Sequence, residues 1–196
     1  MSDGVNLGRR RFLGVATAVT SAVGAGFVAV PFLASWKPSA RAQALGAPIE
    51  VDISKLETGA MLRVEWRGKP VWVLKRSEDM LERIAAANEM VRDPDSSEDQ
   101  QPEYATNQYR SIKPGLLVVI GSCTHLGCSP MTRFEPGTPD LGANWPGGFF
   151  CACHGSKFDL AGRVWRGVPA PLNLVVPPHK YVNDSTILVG VDGESA

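Results

Sequence analysis

"CTHLGC" (residues 123–128) and "CACHGS" (residues 151–156) together hold all four cysteines of the 196-residue chain and two of its three histidines. Each box offers two thiols and one imidazole. Both follow apolar residues and sit among glycines and prolines, so both read as loops leaving strands. Three chemistries compete for these six side chains. Two structural disulfides would suit an exported domain but leave both histidines without a task. A tetrahedral zinc site needs four ligands, fewer than the six on offer. A two-iron, two-sulfide cluster with two thiolates on one iron and two imidazoles on the other takes one Cys and one His from each box. It leaves one spare cysteine per box, and the spares are free to pair, so this third arrangement alone employs all six groups.

The text around the boxes is strand-like. "PIEVDISKL", "GAMLRVEWR" and "KPVWVLKR" are short, partly alternating β segments separated by turn residues. "LLVVIG" (residues 116–121) is a continuous apolar run, expected as a buried strand. "NLVVPP", "KYVND" and "STILVGVDG" are expected as closing strands with a terminal hairpin. Gly and Pro total 35 residues, which favours short strands and many turns. One stretch differs: "SEDMLERIAAANEMV" begins with Ser77, a helix N-cap, and an acidic first turn, and places Met80, Leu81, Ile84 and Met90 on one apolar stripe. The polar text after it belongs to a segment, residues 78–103, with nine acidic and two basic residues, expected as a solvated excursion. His179 is expected at the surface.

The front end is of another kind. Formal charge is zero for the whole chain, which removes the usual basis for a nucleic-acid partner. It divides unevenly: residues 1–46 carry +4 and residues 47–196 carry −4. Arg9, Arg10 and Arg11 precede 23 uncharged residues, Phe12 to Ala34. As a helix these would reach about 34 Å, enough for a bilayer core of about 30 Å. Residues 1–11 are therefore expected as a cytoplasmic N-terminus whose "RRRFL" is similar to the twin-arginine export signal. Residues 12–34 are expected as a retained transmembrane anchor in the lipid bilayer, rather than a cleaved signal ending near Ala42, because signal cores are shorter. Residues 35–48, rich in Ala, Ser and Pro, are expected as a flexible linker. Residues 49–196 then form a head outside the cytoplasm, with the cysteine loops within about residues 121–171.

The two boxes match, at every defined position, the C-T-H-L-G-C and C-x-C-H-G-S boxes of the Rieske iron–sulfur proteins, with 22 residues between them. "GRVWRGVPAPLNL" (residues 162–174) resembles the family's proline loop, with Val168 as an extra residue between Gly167 and Pro169. "QYRSIKPGLLVVIGSC" (residues 108–123) is also similar to family text. With the anchor and linker, the resemblance points to the membrane-anchored Rieske subunit of ubiquinol–cytochrome c reductase in its bacterial form, rather than to arsenite-oxidase-type or soluble relatives. It implies an all-β Rieske head: antiparallel sheets, a small cluster-binding subdomain and one helix–loop insertion.

It further implies one Rieske-type [2Fe-2S] cluster, with Cys123 and Cys151 on one iron, His125 and His154 on the other, and a Cys128–Cys153 disulfide. Ser156 would donate a hydrogen bond to a bridging sulfide. Many high-potential members carry a tyrosine two residues after that serine, where this chain has Phe158, so a lower potential is expected here. The resemblance implies electron and proton acceptance from ubiquinol, with His154 as the quinol contact and His125 more shielded. The electron would pass to cytochrome c1 by movement of the head, in a dimeric complex with cytochrome b. The setting would be the bacterial inner membrane, with the head in the periplasm.

Overall fold

The computed structural model describes Gly4 and residues 6–191. Residues 1–3 and 5 of the expected cytoplasmic segment, and 192–196 of the expected head, lie outside the described residues. The chain divides into two compact units, residues 1–44 and 45–196.

The first unit is dominated by α1 (Leu7–Ala34), 28 residues long, apolar enough to cross a membrane and without a buried residue. It begins ahead of the expected Phe12 because Asn6 caps it, accepting from the Arg9 N–H at 3.1 Å, so the three arginines lie inside the helix. Beyond the three arginines, from Phe12 to Ala34, it carries no charge on any side, as a helix solvated by lipid requires. Within residues 35–48, expected as a flexible linker, residues 40–46 form a short helix, α2 (Ala40–Gly46).

Among its described residues the second unit has nine strands in three antiparallel three-stranded sheets: β1 (Ile49–Asp52), β9 (Thr186–Val189) and β8 (His179–Asn183) in one; β2 (Met61–Trp66), β3 (Lys69–Lys75) and β4 (Leu116–Ile120) in the second; β5 (Met131–Arg133), β6 (Gly148–Cys151) and β7 (Ser156–Phe158) in the third. The second sheet divides the core. Val71, Val73, Leu116 and Val118 pack with Val51, Ile187 and Val189 on one face. Trp72, Leu74, Leu117 and Val119 pack with Cys123, Phe149, Cys151 and Phe158 on the other. Because side chains alternate across a strand, a sheet covered on both faces needs apolar residues at every position. That is why "LLVVI" is continuous and every residue of β4 is buried.

Helix α3 (Glu78–Ala86) forms as its text requires, with the Ser77 side chain accepting from the Met80 N–H and with Met80 and Ile84 buried. It stops before Met90, which falls in the following turn. Three expectations are corrected. Residues 173–178 form no strand: Pro177 and Pro178 have no N–H to give a ladder, and the segment makes single bonds instead, Ile120 N to Val175 O and Val176 N to Gln100 O. The acidic excursion is only partly solvated, since Asp93, Ser96 and Gln100 are buried. Asp93 accepts from the Ser97 and Glu98 N–H groups and from the Ser97 hydroxyl, folding the polar text back on itself. His179 is buried, at 1 % exposure: Tyr104 stacks edge-on to its ring and the Tyr104 hydroxyl accepts from its N–H at 2.8 Å.

Candidate metal centre

The two boxes fold as the same turn. In the first, the Gly127 N–H donates to Cys123 O at 2.9 Å; in the second, the Gly155 N–H donates to Cys151 O at the same 2.9 Å. Each turn closes through a left-handed residue, with φ of 84° at Gly127 and 79° at Gly155, a conformation that glycine reaches without a Cβ clash. The first turn leaves β4; the second joins β6 to β7, with Cys151 and Ser156 opposed in register. Two β connections thus present equivalent cysteines at the first position of each box.

The six side chains separate in the structure. Cys128 and Cys153 form a disulfide that ties the two turns together. Cys123 and Cys151 remain free thiols, 3 % and 2 % exposed. The Sγ atoms of Cys128, Cys151 and Cys153 lie within 4.8 Å of one another, but the disulfide removes two of them as thiolate ligands. The rings of His125 and His154 stand edge-on with centroids 4.7 Å apart. His154 is exposed and His125 half-buried.

This set has the chemistry of metal ligands. His125 Nδ1 is buried and has no hydrogen-bond partner, an arrangement that costs free energy unless something else occupies its lone pair. Burial, and then the neighbouring Cys123 thiol, push the Cys151 thiol up, so a thiolate there needs a cation close by. Two thiols and two imidazoles converging from two tied turns suit a nitrogen- and sulfur-ligated metal, and the residues fit the group implied by their pattern.

Residues 162–174 complete the site. The Thr124 hydroxyl donates to Leu172 O at 2.6 Å, and the Ala170 N–H donates to the Ser156 hydroxyl oxygen at 3.0 Å. The proline segment is therefore bonded to both boxes. Ser156 is fully buried, and with its oxygen occupied by Ala170 its own proton is left to aim elsewhere.

Comparison with known proteins agrees. Residues 49–178 match the family described as "Rieske [2Fe-2S] domain", and residues 1–39 match "Ubiquitinol-cytochrome C reductase Fe-S subunit TAT signal". The ubiquinol–cytochrome c reductase iron–sulfur subunit of Allochromatium vinosum is 60 % identical over 100 % of this chain and 94 % of that protein. This chain belongs to the family of Rieske iron–sulfur subunits of ubiquinol–cytochrome c reductase. The corresponding subunit of Blastochloris viridis is 42 % identical over 96 % of each chain, and that of Bradyrhizobium diazoefficiens 41 % over 93 % of this chain and 94 % of that protein. The Rieske head thus carries one [2Fe-2S] cluster, and α1 is the membrane anchor of the subunit.

Beneath the Rieske boxes lies a polar network that the sequence reading missed. Asp159, 1 % exposed, accepts from the Ala161 and Arg163 N–H groups and from Arg163 Nε at 2.7 Å. Arg163 also donates to Ile84 O, Asn88 Oδ1 and Pro94 O, which joins the helix–loop insertion to the cluster subdomain. Arg76 and Arg110 are buried beside it, and burial lowers each to about 10 against the opposing pull of Asp159. Arg110 and Arg163 lie in the two stretches similar to family text, yet nothing in those stretches, or around Arg76, says that the side chains are buried. A buried charge is recognisable only when its partners, distant in sequence, are seen around it.

Proposed function

We propose that this chain is the electron-transfer subunit that oxidises ubiquinol and reduces cytochrome c1, with Cys123 and Cys151 holding one iron and His125 and His154 the other. When bound, the cluster supplies a one-electron acceptor whose imidazole ligands give it a higher potential than an all-thiolate cluster. The observation that carries the reading is the contrast in exposure within one box: Cys151 and Ser156 are buried while His154, between them, faces outward. A ring in that position can accept a hydrogen bond from a hydroquinone hydroxyl at its free nitrogen and then hold the proton there. His125, half-buried with Nδ1 turned inward, is the shielded member of the pair. Exposed apolar side chains beside the boxes, Leu126 at 72 % and Leu172 at 39 %, offer a dry rim for a quinone-binding partner, which we assign to cytochrome b.

The second electron of the quinol would leave through cytochrome b. Passage of the first to cytochrome c1 requires the head to reach a second site. The division of the chain at residues 44 and 45 suits a head that moves as one body. That head would lie in the periplasm of a bacterium, as part of a dimeric complex. The cluster-bearing head would cross the inner membrane already folded, with the basic residues near the N-terminus remaining in the cytoplasm.

The test is an electron paramagnetic resonance spectrum of reduced membranes with and without stigmatellin, a quinol-site inhibitor. The expected result is a Rieske signal that changes when the inhibitor binds. A Rieske signal indifferent to the inhibitor would remove the quinol assignment while leaving the cluster in place.

A further inference from the structure

The proline segment, residues 167–172, lies against both boxes, yet packing supports its far end poorly. Pro171 and Leu172 are exposed, and a cavity of about 290 Å³ lined by Arg92, Asp93, Gln100, Pro171, Leu172 and Asn173 borders them. Hydrogen bonds must therefore hold this end. Two come from the boxes, Thr124 Oγ1 to Leu172 O and, beside this end, the N–H of the core residue Ala170 to Ser156 Oγ. The third comes from outside: Arg92 Nη1 donates to Pro171 O at 2.8 Å.

Arg92 belongs to the insertion, and its backbone is fixed in place. Its N–H donates to Val164 O at 2.9 Å, Val91 bridges Trp165, and Arg166 returns bonds to Met90 O and Val91 O. The next residue, Asp93, ties the loop end through Ser97 and Glu98 and accepts from Asn173 Nδ2 at 3.4 Å. Asn173 Oδ1 in turn accepts from the Val164 N–H. The guanidinium is therefore mounted on backbone bonded to residues 164–166, and its carbonyl partner belongs to the segment bonded to both boxes.

We propose that Arg92 is a positioning residue. It clamps Pro171 from outside, keeps the proline segment closed over the boxes, and so preserves the Ala170 bond that polarises the Ser156 hydroxyl. The acidic insertion then has a task in this chain: it carries the clamp. The proposal rests on the reading that the Ser156 proton faces the cluster, but its first readout involves no quinol and no turnover.

The experiment compares the full, cluster-loaded chain in detergent with Arg92→Met, which keeps the stem and loses the donor, and with Arg92→Lys, which restores a donor. Hydrogen–deuterium exchange is followed in peptides covering residues 167–172 and, as reference, β2 to β4. Loss of one charge-assisted bond at an exposed site is expected to raise exchange at 167–172 roughly fivefold in Arg92→Met. The reference strands should be unchanged, and Arg92→Lys should recover most of the protection. The cluster midpoint, read by protein-film voltammetry, should fall in Arg92→Met and return in Arg92→Lys. Unchanged exchange at 167–172, an equal rise in the reference strands, or a midpoint that stays put while exchange rises would each overturn the proposal. Because none of these depends on stigmatellin or on quinol, failure here is separate from failure of the quinol reading.

Discussion

Replacing Cys128 and Cys153 together by serine removes a cross-link spanning 25 residues, which enclose β5, a long turn and β6. Cys153 is exposed and Cys128 half-buried, so the substitution takes little apolar surface out of the core. What it chiefly changes is the freedom of the unfolded chain. For a closed loop of that length the chain-entropy relation gives about 3.5 kcal/mol at 25 °C. Against the roughly 5–15 kcal/mol typical of a domain, that is a large share. The assay is guanidinium unfolding of the full chain in detergent, cluster-free so that metal binding does not enter, followed by the fluorescence of the buried Trp72 and Trp145. The unfolding free energy of the double-serine variant is expected to lie about 3.5 kcal/mol below that of the disulfide-bonded chain, and thiol reduction of the unaltered chain should give the same decrement. A difference below about 1 kcal/mol would show that the unfolded chain gains little from release of the link, and the entropic reasoning would fail.

Three further outcomes follow from the same structure. Phe158→Tyr places a hydroxyl in the core that contains Cys123 and Cys151; donation to a ligand sulfur should raise the midpoint by about 60 mV, the one-electron equivalent of a charge-assisted bond of about 1.5 kcal/mol, and an unchanged or lower midpoint would count against it. His179 is buried, and burial lowers its pKa below the ordinary 6.5, opposed by its bond to Pro177 O. The unfolded chain therefore takes up the proton first, so stability is complete above pH 6.5 and declines as pH falls below it; His179→Phe should flatten that limb of a thermal-melt pH series, and an equal slope in both proteins would refute the assignment. Several prolines introduced within residues 35–48 should slow turnover while quinol still reduces the cluster in a single-turnover experiment, and full turnover in the stiffened variant would make the linker an inert tether.

Much of the site was legible beforehand because ligation needs particular atoms at short spacing. Cys123, His125, Cys128, Cys151, Cys153 and His154 lie in two short boxes, and the glycine in each box marks the left-handed turn that presents them. Anchor, strands and insertion were legible for a similar reason: lipid demands an uncharged run, and a sheet covered on both faces demands an unbroken one. Misreadings arose where long-range contacts overrode local character. Polar text at Asp93 to Gln100 reads as solvated until its bonds to Asn173 and Val176 are seen. His179, in a Pro-rich stretch, reads as exposed until Tyr104 covers it.

The chain's own order of residues determined which groups were available to hold the cluster, how far the anchor reaches and where the backbone turns, because those properties depend on atoms within a few residues of one another. Only the tertiary structure decided which cysteines bonded to each other, which histidine faced outward, and that Asp159 and three buried arginines would share one network beneath the boxes. Such outcomes depend on distances between segments tens of residues apart, and burial, charge pairing and closure of a loop acquire values only when those segments pack.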